Sequence, residues 1–155
     1  MDRALLEHSL TLITADDPDF TVRFYERLFA EHPEVEALFG KNIRPQAAML
    51  QQAIVAVLEH LDDPDWLQSS LGALGRVHAS LGVTPPMYGW VATTLVETMA
   101  DIAGSAWTDA MAKEWGAALT AVATMMLDAY PPQSSFQEPD NTDQQLLSGT
   151  NQQRG

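Results

Sequence analysis

With four histidines, three tyrosines and no cysteine, this 155-residue chain has a narrow chemical repertoire. The lack of thiols excludes disulfides, thiolate metal centres and cysteine nucleophiles together, and it leaves imidazole as the main donor for a transition metal. His8, His32 and His60 stand beside acidic residues or at expected helix ends. His78 is different, because Leu71, Leu74 and Leu81 precede and follow it at spacings that share one face of a helix. An imidazole turned toward a core needs a partner, since an unsatisfied buried polar group costs roughly 1 to 3 kcal/mol. A neighbouring carbonyl is the commoner partner, and a metal ion is the other. Two more polar residues stand where packing is expected. Tyr25 shares a face with Leu28 and Phe29 in FYERLF, and Gln46 precedes Met49, Leu50 and Ala53 at helical spacing.

The elements that must position these residues are helices. Proline just inside a helix start and glycine just past its end punctuate the chain into about seven stretches. A first amphipathic segment covers residues 3–14. Asp17 then caps a second helix, with Pro18 in its first turn, that runs to about His32. Pro33 opens a short turn, PEVEALF, ended by Gly40. A longer helix follows from near Pro45 to Leu61, with Met49, Leu50, Ala53, Ile54, Val57 and Leu61 as its apolar face. Asp63-Pro64 starts the helix of His78, which breaks at Gly82. Thr84-Pro85 starts another that continues to about Gly104. A last helix spans roughly Thr108 to Tyr130 and stops at Pro131-Pro132. The chain thus reads as one folded domain over residues 1–131, followed by a polar segment over 132–155 too poor in apolar residues to order itself. Met87, Met99, Met111, Met125 and Met126 read as core filler.

Charge removes several partner classes. Eight Lys+Arg against 21 Asp+Glu give a formal charge of -13, a field that repels phosphate backbones and anionic lipid. No nucleic acid and no membrane are expected as partners. No apolar run approaches the roughly 20 residues of a membrane span, and the N-terminus lacks a basic region followed by an apolar block. A cytoplasmic location is the expectation. Phosphate-cradling glycine motifs and nucleophilic triads are missing as well.

Four stretches together carry a family resemblance: FYERLFAEHPEVEALF, the helix that opens at Gln46, RVHASLGVTPPMYGWV and WGAALTAVATMMLDAY. Over about residues 1–130 the chain resembles the bacterial globins, specifically the haemoglobin domain of flavohaemoglobins and their single-domain relatives. The resemblance implies an all-α globin fold, a three-over-three helical sandwich enclosing haem b (iron protoporphyrin IX). It further implies that His78 is the proximal iron ligand, and that Phe39 packs flat on the macrocycle with Val91 also in contact. Tyr25 and Gln46 are implied as a hydrogen-bonding pair over bound oxygen, beside an apolar wall shaped by Leu50. Tyr88 matches a family tyrosine that, with a glutamate of the last helix, orients the axial histidine. Here the pattern breaks, because Tyr130 falls at the glutamate's place and the nearest acid, Asp128, projects from another face. The expected acceptor for the ring proton of His78 is then a carbonyl of its own helix, near Leu74. The connection between Phe39 and Gln46 is also short for the family.

The function expected from this resemblance is reversible oxygen binding by a haem protein, as monomer or homodimer. Nitric oxide and carbon monoxide are further gas ligands. Turnover of nitric oxide to nitrate requires a separate reductase, and loss of the proximal carboxylate speaks against peroxidase-like chemistry. The rival from another class is a haem-based gas or redox sensor acting through a protein partner. A globin fold without haem, serving as an interaction module, is disfavoured because Tyr25, Gln46 and His78 would then all need other partners.

Overall fold

The computed structural model describes residues 1–132, so the expectation for the polar C-terminal segment lies outside the described residues. Helices α1 (Arg3–Asp16), α2 (Phe20–Glu31), the single turn α3 (Pro33–Glu36), α4 (Arg44–Glu59), α5 (Pro64–Ser80), α6 (Pro85–Ala103) and α7 (Asp109–Leu127) follow in order. A 3₁₀ turn over Gly104–Ala106 separates α6 from α7, and no strand occurs among the described residues. Several helix starts are capped as their sequence demands. The side chain of Asp2 accepts from Leu5 N at 3.1 Å, Asp63 from Trp66 N at 3.1 Å and Thr108 from Met111 N at 3.2 Å. Asp17 departs from expectation by closing α1 instead of opening α2. Its carboxylate accepts from Asp19 N at 3.1 Å, which builds a turn through Pro18 and delays α2 to Phe20.

Helix α2 packs on α6 and α4, α1 on α6 and α7, and α5 on α7. These contacts generate two apolar clusters. The larger joins Leu6 and Ile13 of α1, Phe20, Phe24 and Leu28 of α2, Leu95 and Met99 of α6, and Trp115 of α7. The smaller holds Leu67 and Leu71 of α5 against Met126 of α7. Hydrogen bonds pin the helices where polar groups are buried. Trp115 Nε1 donates to Ser9 Oγ at 2.7 Å across α1 and α7, and Thr21 Oγ1 donates to the Ala47 carbonyl at 2.8 Å across α2 and α4. The Thr21 bond sets the register of two helices that carry expected site residues, for Tyr25 lies one turn beyond Thr21 while Gln46 and Leu50 flank Ala47. At the surface, Arg27 of α2 bridges to Glu97 and Asp101 of α6.

Helix α5 approaches α7 through small residues. A Cβ added at Gly75 would stand 2.2 Å from the Met126 carbonyl oxygen, so only glycine permits this crossing. The apolar face expected for α4 is partly revised. Ala47, Ile54 and Leu58 are the buried residues, whereas Met49 is 59% exposed.

Candidate functional site

Between the two apolar clusters lies a cavity of about 220 Å³, lined from both. Its walls are the inner faces of α4, α5, α6 and α7, and nearly all of its surface is apolar. Of the expected site residues, His78, Leu50, Tyr88 and Val91 line it. His78 is the imidazole among aliphatic walls that include Leu71, Leu74, Val57 and Leu95.

The protonation pattern of His78 follows from one contact. Its Nδ1 lies 2.9 Å from the Leu74 carbonyl oxygen, and a carbonyl only accepts. Nδ1 therefore carries the proton, and Nε2 keeps its lone pair for a metal. The other histidines are engaged elsewhere or exposed. His60 uses Nδ1 to bond Ala56 O at 2.8 Å and stacks on Trp66, while His32 stacks on Trp90 near Glu34. His8 is exposed.

Beside His78, the Tyr88 ring has its centroid 6.2 Å from the imidazole. Tyr130, whose place in the sequence breaks the family pattern, is brought to this ring: the two hydroxyls are 2.9 Å apart, and the Tyr130 hydroxyl donates to the Val83 carbonyl at 2.8 Å. Since Tyr130 has one proton and spends it on Val83, Tyr88 is the donor between the two phenols. Burial, and then the bond to Tyr130, hold the Tyr88 phenol well above the usual tyrosine range.

Tyr25 and Phe39 meet in an adjoining aromatic group. Tyr25 is 8% exposed, with ring centroids 5.3 Å from Phe39 and 5.8 Å from Phe29. Its hydroxyl has no hydrogen-bond partner among the described residues, and burial pushes the phenol up to about 12. Leu50 packs against the same cluster while lining the cavity, so it joins the two regions. Gln46, expected to turn inward, is exposed in the first turn of α4 and makes no bond to Tyr25. Leu81, expected to share the inner face of His78, is 62% exposed because α5 ends one residue before it. Val83 and Met126 line the cavity too; the sequence assigns Val83 no role and marks Met126 as core filler, and Met126 is buried in the smaller cluster. Neither is a polar signal, and only the packing of α5 on α7 brings them to the cavity.

The donor set and walls fit haem. One imidazole offers its Nε2, the surroundings are aliphatic, and the Tyr25 phenol, bonded to no described residue, lies in the adjoining aromatic group. Leu74, one turn before His78 and lining the same cavity, is 38% exposed, so apolar surface beside the imidazole is left uncovered by protein. A haem held by His78 would cover such a surface.

Comparison with known proteins agrees with this geometry. The globin family model matches residues 22–126. Similar curated proteins include the flavohemoproteins of Vibrio cholerae, 28% identical over 127 residues, and of Bordetella pertussis, 30% identical over 129 residues. These alignments cover 80% and 81% of this chain but only 32% of either relative, so the chain spans about a third of their length. Among solved structures, a bacterial globin from Campylobacter jejuni superposes with a TM-score of 0.70 at 21% identity, covering 82% of this chain and 92% of that one. An engineered carbene transferase from Rhodothermus marinus superposes with a TM-score of 0.69 at 23% identity, covering 80% and 87%. Through the family match over most of its helices, borne out by the fold of these neighbours, the chain belongs to the globin family.

Proposed function

We propose that this globin binds haem b through His78 and holds oxygen reversibly at the ferrous iron. The observation that carries the reading is the His78 imidazole, whose Nδ1 is committed to the Leu74 carbonyl and whose Nε2 remains a donor within an aliphatic cavity. Haem, when bound, supplies the iron and its gas-binding and oxidation chemistry. The residues of the chain do the rest. The Leu74 carbonyl fixes the tautomer of His78 and the angle of its ring. Leu50 and Val91 exclude water from the ligand's surroundings. Tyr25, protonated throughout the physiological range, is the donor assigned to a ligand that gains negative charge, with Gln46 moving in from the start of α4 as its partner. Phe39, which packs with Tyr25 and Phe29, would lie flat against the macrocycle.

Nitric oxide and carbon monoxide fit the same space, and one structural neighbour has a name that links it to nitric oxide dioxygenation. Consumption of nitric oxide here needs a reductase as electron source. The test is an absorption spectrum of the purified full chain. A Soret band that shifts on reduction and again with carbon monoxide is expected, and replacement of His78 by alanine removes it. A chain that takes up no haem, or that keeps an unchanged spectrum after His78→Ala, overturns the assignment.

A further inference from the structure

The end of α5 is closed by backbone bonds. Gly82, with φ of 90°, lets its own N–H reach Ala79 O at 3.2 Å and the Val83 N–H reach His78 O at 3.0 Å. This is the Schellman arrangement, and it ties Val83 directly to the backbone of His78. The Val83 carbonyl in turn accepts from the Tyr130 hydroxyl, and that hydroxyl accepts from Tyr88, whose ring lies beside the His78 imidazole. The contacts thus leave His78 through its carbonyl and return to it through an aromatic ring. One turn before His78, Gly75 seats α5 directly on the α7 backbone at Met126.

We propose that Tyr130 is a positioning residue for His78, closing a ring of contacts through Val83 and Tyr88 that fixes the axial imidazole against α7. The inference rests on His78 being the iron ligand. The ring transmits orientation and carries no proton, because it ends on a carbonyl that cannot take one. With both phenol protons committed inside the ring, the Leu74 carbonyl remains the acceptor for Nδ1. The axial ligand is accordingly a neutral imidazole backed by a neutral acceptor, held in place by Tyr130, three residues past the end of α7, rather than by a carboxylate.

The test compares the full chain with Tyr130→Phe and Tyr88→Phe. Without haem, amide exchange at Val83 reads the clasp alone. It is expected to speed up about fivefold in Tyr130→Phe, the loss of one hydrogen bond, and to stay unchanged in Tyr88→Phe, which keeps the Tyr130 bond to Val83. With haem and reduced iron, the iron–histidine stretching band in resonance Raman is expected to shift or broaden in both variants, and haem transfer to an excess of acceptor apoglobin to accelerate about fivefold in Tyr130→Phe. A merely structural Tyr130 changes exchange but leaves the Raman band of the wild type, and that outcome overturns the proposal. Unchanged exchange in Tyr130→Phe overturns it too. A chain that binds no haem defeats the functional reading instead, and the exchange data keep the two failures apart.

Discussion

At the scale of residues, the site is a set of polar groups distinguished by what each lacks. His78 has one nitrogen bonded to Leu74 O and the other left for a metal, and Tyr25 has a buried ring whose hydroxyl bonds no described residue. A phenol in such surroundings is a strong donor to a ligand that carries charge, worth roughly 1.5 to 3 kcal/mol. Tyr25→Phe is therefore expected to accelerate oxygen release from the ferrous protein by about tenfold or more, as measured by stopped-flow displacement. An unchanged rate removes Tyr25 from the ligand's surroundings. Both residues were legible in the sequence through an apolar setting that does not suit a polar side chain. The same helical spacing pointed Gln46 inward, yet it is exposed, because the first turn of a helix places little packing demand on its residues.

At the scale of elements, the crossing of α5 on α7 decides where the imidazole sits. Gly75 has no room for a methyl group, since the Met126 backbone lies 2.2 Å from where it would stand. Gly75→Ala is expected to destabilise the fold by about 1 to 3 kcal/mol despite alanine's higher helix propensity, because the backbones must separate. Gly116→Ala, in α7 with nothing within 4 Å of the added atom, is the control and is expected to stabilise by about 0.5 to 1 kcal/mol. Urea titrations of the two variants check both signs. A neutral Gly75→Ala would mean that α5 is free to slide, which also undermines a fixed orientation for His78.

For the whole molecule, the buried Tyr25 phenol and the half-buried Tyr88 phenol make stability depend on alkaline pH. Tyr25 titrates near 12 when folded against 10.0 when exposed, and Tyr88 is raised as well. Between those values the unfolded chain sheds protons that the folded chain retains, so stability falls as pH rises through the window. Tyr25 accounts for a loss on the order of 2 kcal/mol across it. Denaturation midpoints measured from pH 9 upward are expected to fall less steeply for Tyr25→Phe than for the wild type. Parallel slopes would place the Tyr25 hydroxyl in water.

The linear chain by itself determined the helical architecture, because proline, glycine and capping residues act locally and mark helix ends wherever the chain goes. The starts at Asp63 and Thr108 and the stop at Gly82 needed no tertiary information. It also singled out His78, whose neighbours repeat with helical period. Folding decided what no local rule contains: that α5 lies on α7, that Tyr130 meets Tyr88 across 42 positions of chain, and that Val83 completes their contact. Such pairings depend on which apolar faces bury one another, and that choice is made by the packing of all the helices together.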